Sequence, residues 1–166
     1  MSFVSARMDK WREVVEMRVS SARILLPWAP LALRLVLGVV FVAHGSQKLF
    51  GVWDGPGLSA TVDFFKTIFG IPAYLMVIAV FTELLGGIAV IVGLLTRLAS
   101  VGLAIDMAVA IAEVHWVNGF FINWSMEAGK GHGYEFNLAL LAMSIALALS
   151  GPGKLAVDHV LGFEEE

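Results

Sequence analysis

The sequence predicts an all-α integral membrane protein, a four-helix bundle with an N-terminal amphipathic helix on the membrane surface. Three observations carry this. Apolar stretches at residues 30–50, 72–95, 98–117 and 134–150 each approach the ~20 residues that a spanning helix requires. Hydrophobic residues make up 58% of the 166, charged ones 15%, and the mean hydropathy is +0.83, more apolar surface than a soluble domain of this size can bury. Almost every stretch also holds ionisable residues, among them Arg34, His44, Lys48, Glu83, Asp106, Glu113, His115 and Glu135. Charge in hydrocarbon costs about 3 kcal/mol per group even on insertion scales, so these residues need partners or a function, and the bundle has a polar interior.

Residues 1–27 form a first segment that holds eight of the 25 Lys, Arg, Asp and Glu residues. Val4, Met8, Trp11, Val15 and Val19 recur there at helical spacing between the charges, which predicts an amphipathic cytoplasmic or interfacial helix rather than a signal peptide. Residues 28–158 are expected to form the four-span membrane domain, and 159–166 a short acidic tail. The spans are joined by a tight turn at Thr96 and Arg97 and by two long connections, 51–71 and 118–133, whose Gly, Asn and Pro content predicts irregular structure. Gly151, Pro152 and Gly153 are expected to stop the fourth span, the shortest of the four.

Trp53, Trp116 and Trp124 fall at or near span ends on the long-connection side, as an interfacial aromatic belt does. Seven Lys and Arg (Arg7, Lys10, Arg12, Arg18, Arg23, Arg97, Lys154) lie on one side and three (Lys48, Lys66, Lys130) on the other, which predicts a multi-pass plasma-membrane protein with both termini cytoplasmic.

Helical periodicity places Arg34, Gly38, Phe41, Gly45 and Lys48 on one stripe of the first span, with His44 beside it. Asp106 and Glu113, seven apart, share a face of the third span, and Gly86, Gly87 and Gly93 let another helix approach the second. Depth then separates two layers. Arg34 and Arg97 lie toward the cytoplasmic side with Asp106 as their nearest acid, a structural charge pairing. His44, Lys48, Glu83, Glu113, His115 and Glu135 form a candidate outer pocket closed by the long connections.

Several chemistries are excluded or disfavoured. Without cysteine there are no disulfides, thiolate metal sites, iron–sulfur clusters or thiol nucleophiles. The net charge of −3 and the absence of a basic stripe give nucleic acid no electrostatic footing. His44 and His115 on different helices invite a haem, yet one histidine per helix is more often a hydrogen-bonded interior residue, and Glu113 with His115 has the wrong spacing for a di-iron site. No metal is expected. His132 and His159 are expected to be solvated, and Gly119, Phe120 and Phe121 to form a turn with an apolar plug over the pocket.

The motifs HGSQKLF, Glu83 with the following glycine pair, GLLTR, AEVHWVNGFF, GYEF and GPGKLAVD occur in this order, and the chain thereby resembles the DoxX-like family over residues 31–158. That family includes the DoxD-type subunit of thiosulfate:quinone oxidoreductase. The resemblance implies a four-helix membrane protein associated with respiratory or redox-stress oxidoreductases. Its pattern falls on Arg34, Gly38, His44, Gly45, Lys48, Glu83, Gly87, Gly93, Arg97, His115, Gly119, Phe120, Glu135, Gly151, Pro152, Gly153 and Asp158, and leaves out Asp106, Glu113 and the N-terminal segment. Two functional classes follow: a membrane subunit or anchor of an oxidoreductase with a quinone site in the outer pocket, or a structural, assembly or proton-coupled transport protein without redox activity of its own. Transport by four short spans would require a homo-oligomer.

Overall fold

The computed structural model describes residues 2–164, apart from the side chains of 2–6 and 18–23. Helix α1 spans Ser2–Leu25, α2 Trp28–Phe50, α3 Gly57–Phe69, α4 Ala73–Val92, α5 Thr96–Ala110, α6 Glu135–Ser150 and α7 Val157–Val160. Helix α5 runs on through a π-helical turn, Ile111–His115, and a 3-10 turn, Trp116–Asn118. There are no strands among the described residues. Among the described residues, three helices are long and apolar enough to cross a membrane: α2, α4 and the continuous Thr96–Asn118 helix. The fourth apolar helix, α6, has 16 residues, about 24 Å at 1.5 Å per residue.

Helix α4 packs along α2, α5 along α4, α6 along α5, and α2 also touches α6. Leu37 and Phe41 of α2, Val90 of α4, Leu103 and Met107 of α5, and Leu140 and Leu147 of α6 meet in the core. With lipid outside as apolar as leucine inside, close backbone approach and polar bonds must hold such helices together. Gly45 shows how close the approach is, since a Cβ there would lie 2.7 Å from the Leu84 backbone nitrogen. Of the glycines expected to permit a helix crossing, Gly87 does so against α2, facing Val42 and Gly38 on the same seam, and Gly86 meets Leu103 of α5, whereas Gly93 caps α4 instead.

The connection 51–71 differs from the expected irregular loop. Its centre folds as α3, whose Phe65 and Phe69 point inward while Phe64 and Ile68 are exposed. Thr61 joins α3 to the end of α2, with its Oγ1 donating to the Gly57 carbonyl at 2.7 Å and lying 3.3 Å from that of Lys48. The turn residues at either end of 51–71 hid a helical period in the middle. The N-terminal segment is helical; Met8, Trp11 and Val15 are exposed, while Val4 and Val19 lie outside the described side chains.

The short-turn end corrects the expected charge pairing. Arg34 is 0% exposed, and its guanidinium donates to five carbonyls: Val90 (2.8 Å), Ile91 (2.9 Å), Pro152 (2.9 Å), Lys154 (3.0 Å) and Leu155 (3.2 Å). Every guanidinium N–H is thereby used. Val90 and Ile91 belong to the last turn of α4, where carbonyls lack helical partners and the dipole favours a cation. Gly93, at φ 73°, is held to glycine twice over, because a Cβ there would also strike the guanidinium at 2.5 Å.

Asp158 takes the opposite role. Its carboxylate accepts from the N–H groups of Leu95 (2.6 Å) and Thr96 (2.9 Å) at the start of α5, and it attracts Arg34 electrostatically. Arg97 pairs with Glu164 and donates to the Ala148 and Leu149 carbonyls. Neither arginine pairs with Asp106. Nearness along the sequence suggested that acid; the chain instead returns from Gly151, where α6 stops as expected, to bring Asp158 and Glu164 to them. His159 is held too, its ring nitrogens against the carbonyls of Gly153 (2.7 Å) and Glu164 (3.1 Å), rather than solvated.

Arg34→Lys should therefore fail almost as badly as Arg34→Met, because an ammonium has three donors for five carbonyls and lacks the planar fork. Thermal unfolding of detergent-purified protein measures this. A lysine variant within a few degrees of the parent would mean that charge alone holds this end.

Candidate functional site

The opposite end of the molecule opens into a cavity of about 1090 Å³ between the end of α2, the start of α4, the end of α5 and the start of α6. Small-molecule sites commonly fall at roughly 300–1,000 Å³, so this one has room for a ligand with an extended apolar part. Most of its wall is apolar, including Phe41, Leu75, Met76, Ile105, Val109 and Phe136. Phe65 and Phe69 of α3 and Ile122 and Trp124 of the second long connection add aromatic and aliphatic surface.

One wall is polar. Lys48 of α2 forms a salt bridge through Nζ to Glu83 Oε1 of α4, and Glu83 is only 3% exposed. Asp106 of α5 lies against Glu83 and within the electrostatic reach of Lys48. Glu83 Oε2 and Asp106 Oδ2 are buried without a hydrogen-bond partner. Three helices thus bring two carboxyls to one ammonium. Asp106 belongs here rather than with Arg34 and Arg97.

His44, Glu113, His115 and His132 line the same cavity. The π-helical turn carries both Glu113 and His115, and such turns interrupt a helix face in a way that periodicity alone cannot anticipate. His115 Nδ1 donates to the His132 carbonyl at 2.9 Å, and Asn118 Nδ2 donates to the same oxygen at 3.2 Å. In a neutral ring this leaves His115 Nε2 as the acceptor nitrogen. His132 is exposed, as expected, and borders the cavity.

Glu135 stands apart from the cavity. Its carboxylate accepts the Ile122 N–H at 2.9 Å, and with the Glu135 N–H donating to the Phe120 carbonyl it fastens the second long connection to the start of α6. Gly119 turns the chain at φ 78°, as its motif suggested. Phe120 packs edge-on against Tyr134, which stacks on Trp116, so Ile122 and Trp124 rather than Phe120 and Phe121 face the cavity. Among the described residues, no group of three or more His, Asp or Glu side chains is arranged to hold a metal ion.

Breaking a buried ion pair from one side leaves a charge without its counterpart, at a cost of about 3–5 kcal/mol, whereas removing both partners is often nearly neutral. Lys48→Met should lower the thermal stability of the purified protein clearly, and Lys48→Met combined with Glu83→Gln should recover most of the loss. A double variant no more stable than the single one would show that Lys48 contributes through something other than Glu83.

The chain matches the family model described as DoxX over residues 29–116, which takes in α2 to α5 and hence Lys48, Glu83 and Asp106. It is 34% identical over 128 residues, 77% of this chain and 83% of the other, to the Bacillus subtilis protein CatD, whose name marks it provisionally as an oxidoreductase. It is 33% identical over 141 residues, 81% of this chain and 82% of the other, to Rv3486 of Mycobacterium tuberculosis, named an uncharacterised membrane protein. No solved structure matches it. With the family pattern lying over more than half of its length and these relatives covered over more than four fifths of theirs, the chain belongs to the DoxX family.

Proposed function

We propose that this membrane protein is the membrane subunit of a quinone-linked oxidoreductase system, and that its cavity receives the quinone. The observation that carries the reading is the pairing of a large apolar space with a single polar wall. A quinone presents an apolar ring face and tail together with two carbonyl acceptors. The aromatic and aliphatic lining suits the former. For the latter, Lys48 keeps donors beyond the one directed to Glu83, and His44 stands one helical turn before it. The name of the Bacillus subtilis relative supports the oxidoreductase setting.

In this reading α2, α4, α5 and α6 cross the plasma membrane as a four-helix bundle with both termini cytoplasmic, and the cavity opens toward the outer face. The seven-to-three split of Lys and Arg supports that orientation. Helix α1 lies along the cytoplasmic surface. Its exposed Met8, Trp11 and Val15 suit either the lipid boundary or a soluble oxidoreductase partner, which would make the chain an anchor as well as a quinone site.

Titration of the detergent-purified protein with a short-chain quinone tests the proposal. Binding should be saturable and should quench tryptophan fluorescence chiefly through Trp124, so that Trp124→Phe removes most of the signal. Lys48→Met should weaken binding by ~10-fold or more, the worth of one charged hydrogen bond. Non-saturable partitioning, unchanged by either substitution, would dismiss the quinone site and leave the anchor role.

A further inference from the structure

The polar wall holds two carboxyls for one cation. Glu83 Oε2 and Asp106 Oδ2 are each buried and without a hydrogen-bond partner, yet the two side chains are in contact. Ionised carboxylates only accept, so two of them side by side repel and leave their facing oxygens unsatisfied; one proton between them supplies the missing donor. The other groups facing the cluster do not balance the charge. Around the cavity, α2 contributes Lys48, already bound to Glu83 Oε1, and His44; the extension of α5 contributes Glu113, another acid, and His115, whose Nδ1 is engaged by the His132 carbonyl; and the second long connection contributes His132. Helix α6 contributes the neutral Asn137, whose Nδ2 points to the Met107 sulfur at 3.6 Å.

We infer that Glu83 and Asp106 share one proton beside Lys48, and that this pair is the proton-exchanging group of the cavity. The arrangement gives the Lys48–Glu83–Asp106 cluster zero net charge at rest: one ammonium, one carboxylate and one carboxyl. Delivery to a bound ligand breaks the carboxyl O–H as the ligand O–H forms, and leaves both acids ionised beside Lys48. For a quinone, an inference that rests on the reading above, two electrons come from the reduced flavin of a partner oxidoreductase that meets the cavity at its own, outer face. Two protons pass in turn through the pair to give the quinol. Glu113, seven residues and about 10 Å further along the α5 helix at the cavity wall, is placed to refill it.

Infrared spectroscopy of the protein in lipid vesicles reads the shared proton directly. The wild type should show the carbonyl stretch of a protonated carboxyl at neutral pH, and the band should move when aspartate alone or glutamate alone carries a 13C carboxyl. It should vanish in Asp106→Asn and in Glu83→Gln, since either leaves one acid for one lysine. The labelling arm decides the matter without any substitution, should a variant fail to fold. A band that answers to only one label, or none at all, overturns the shared proton. Adding a short-chain quinone should shift the band, and indifference to a bound quinone would remove the pair from the site. If the band answers to both labels while no quinone binds, the shared proton stands and the quinone reading falls.

Discussion

The short-turn end depends on one arginine. Arg34 is fully buried, so each of its donors must find an acceptor within the fold. It finds them on the last turn of α4 and on the segment after α6, elements that no regular secondary structure would bring together. Asp158 completes the construction by accepting from the first N–H groups of α5. The start of α2, the end of α4, the beginning of α5 and the returning chain are thereby fixed to one point. A guanidinium suits this task because its flat fork addresses several carbonyls in different directions, while its charge meets the negative end of a helix.

The two ends of α2 carry the two kinds of buried charge, and their bonding tells them apart. At Arg34 every donor is used, and the neighbouring acid is bound by backbone N–H groups. The charged groups of such a site have nothing left for a ligand, although the neutral Thr96 hydroxyl beside them is buried without a partner. At Lys48 the count is open: one ammonium faces two carboxyls, two buried oxygens lack partners, and the cluster borders a cavity. Buried polar atoms are almost always satisfied in native proteins, so an incomplete set beside a space large enough for a ligand points to exchange of protons or partners there. The same family pattern embraces both arginine and lysine, and only the geometry separates a clamp from a site.

Much of this was legible in the sequence. Hydropathy placed α2, α4 and α5, and the three- and four-residue spacing put Arg34, Gly45 and Lys48 on one inward stripe. The Gly-Pro-Gly run stopped α6 where it stops. What escaped reading did so for definable reasons. Asp106 was given to the wrong end because depth along a helix says nothing about which neighbour its face meets; the partner is Glu83, across an interface. Helix α3 was hidden by the Gly and Pro residues that bracket it. Glu113 and His115 line the cavity as expected, but the π-helical turn that carries them is not contained in a 3.6-residue period. His159 sits in a segment whose composition looks like loop, and its ring is held by carbonyls only five and six residues away, Glu164 and Gly153, which the turn after Asp158 brings to it.

Connection lengths explain why the cavity lies where it does. At the short-turn end, α4 passes to α5 through only Gly93, Leu94 and Leu95, and the Arg34 and Asp158 bonds draw the surrounding chain inward. Midway, Gly45 and Gly87 let α2 and α4 approach to backbone contact. At the other end, residues 51–72 join α2 to α4 and residues 119–134 join α5 to α6, spans long enough to impose no distance between the helices they link. The helices are free to stand apart there, and side chains from the connections themselves, Phe65 and Phe69 on one and Ile122 and Trp124 on the other, complete the wall. The polar groups of this end lie within reach of an apolar ligand because of that separation. Shortening the connections would bring the Lys48 cluster into helix contact, where it would need to be as fully bonded as Arg34 and would have nothing to exchange.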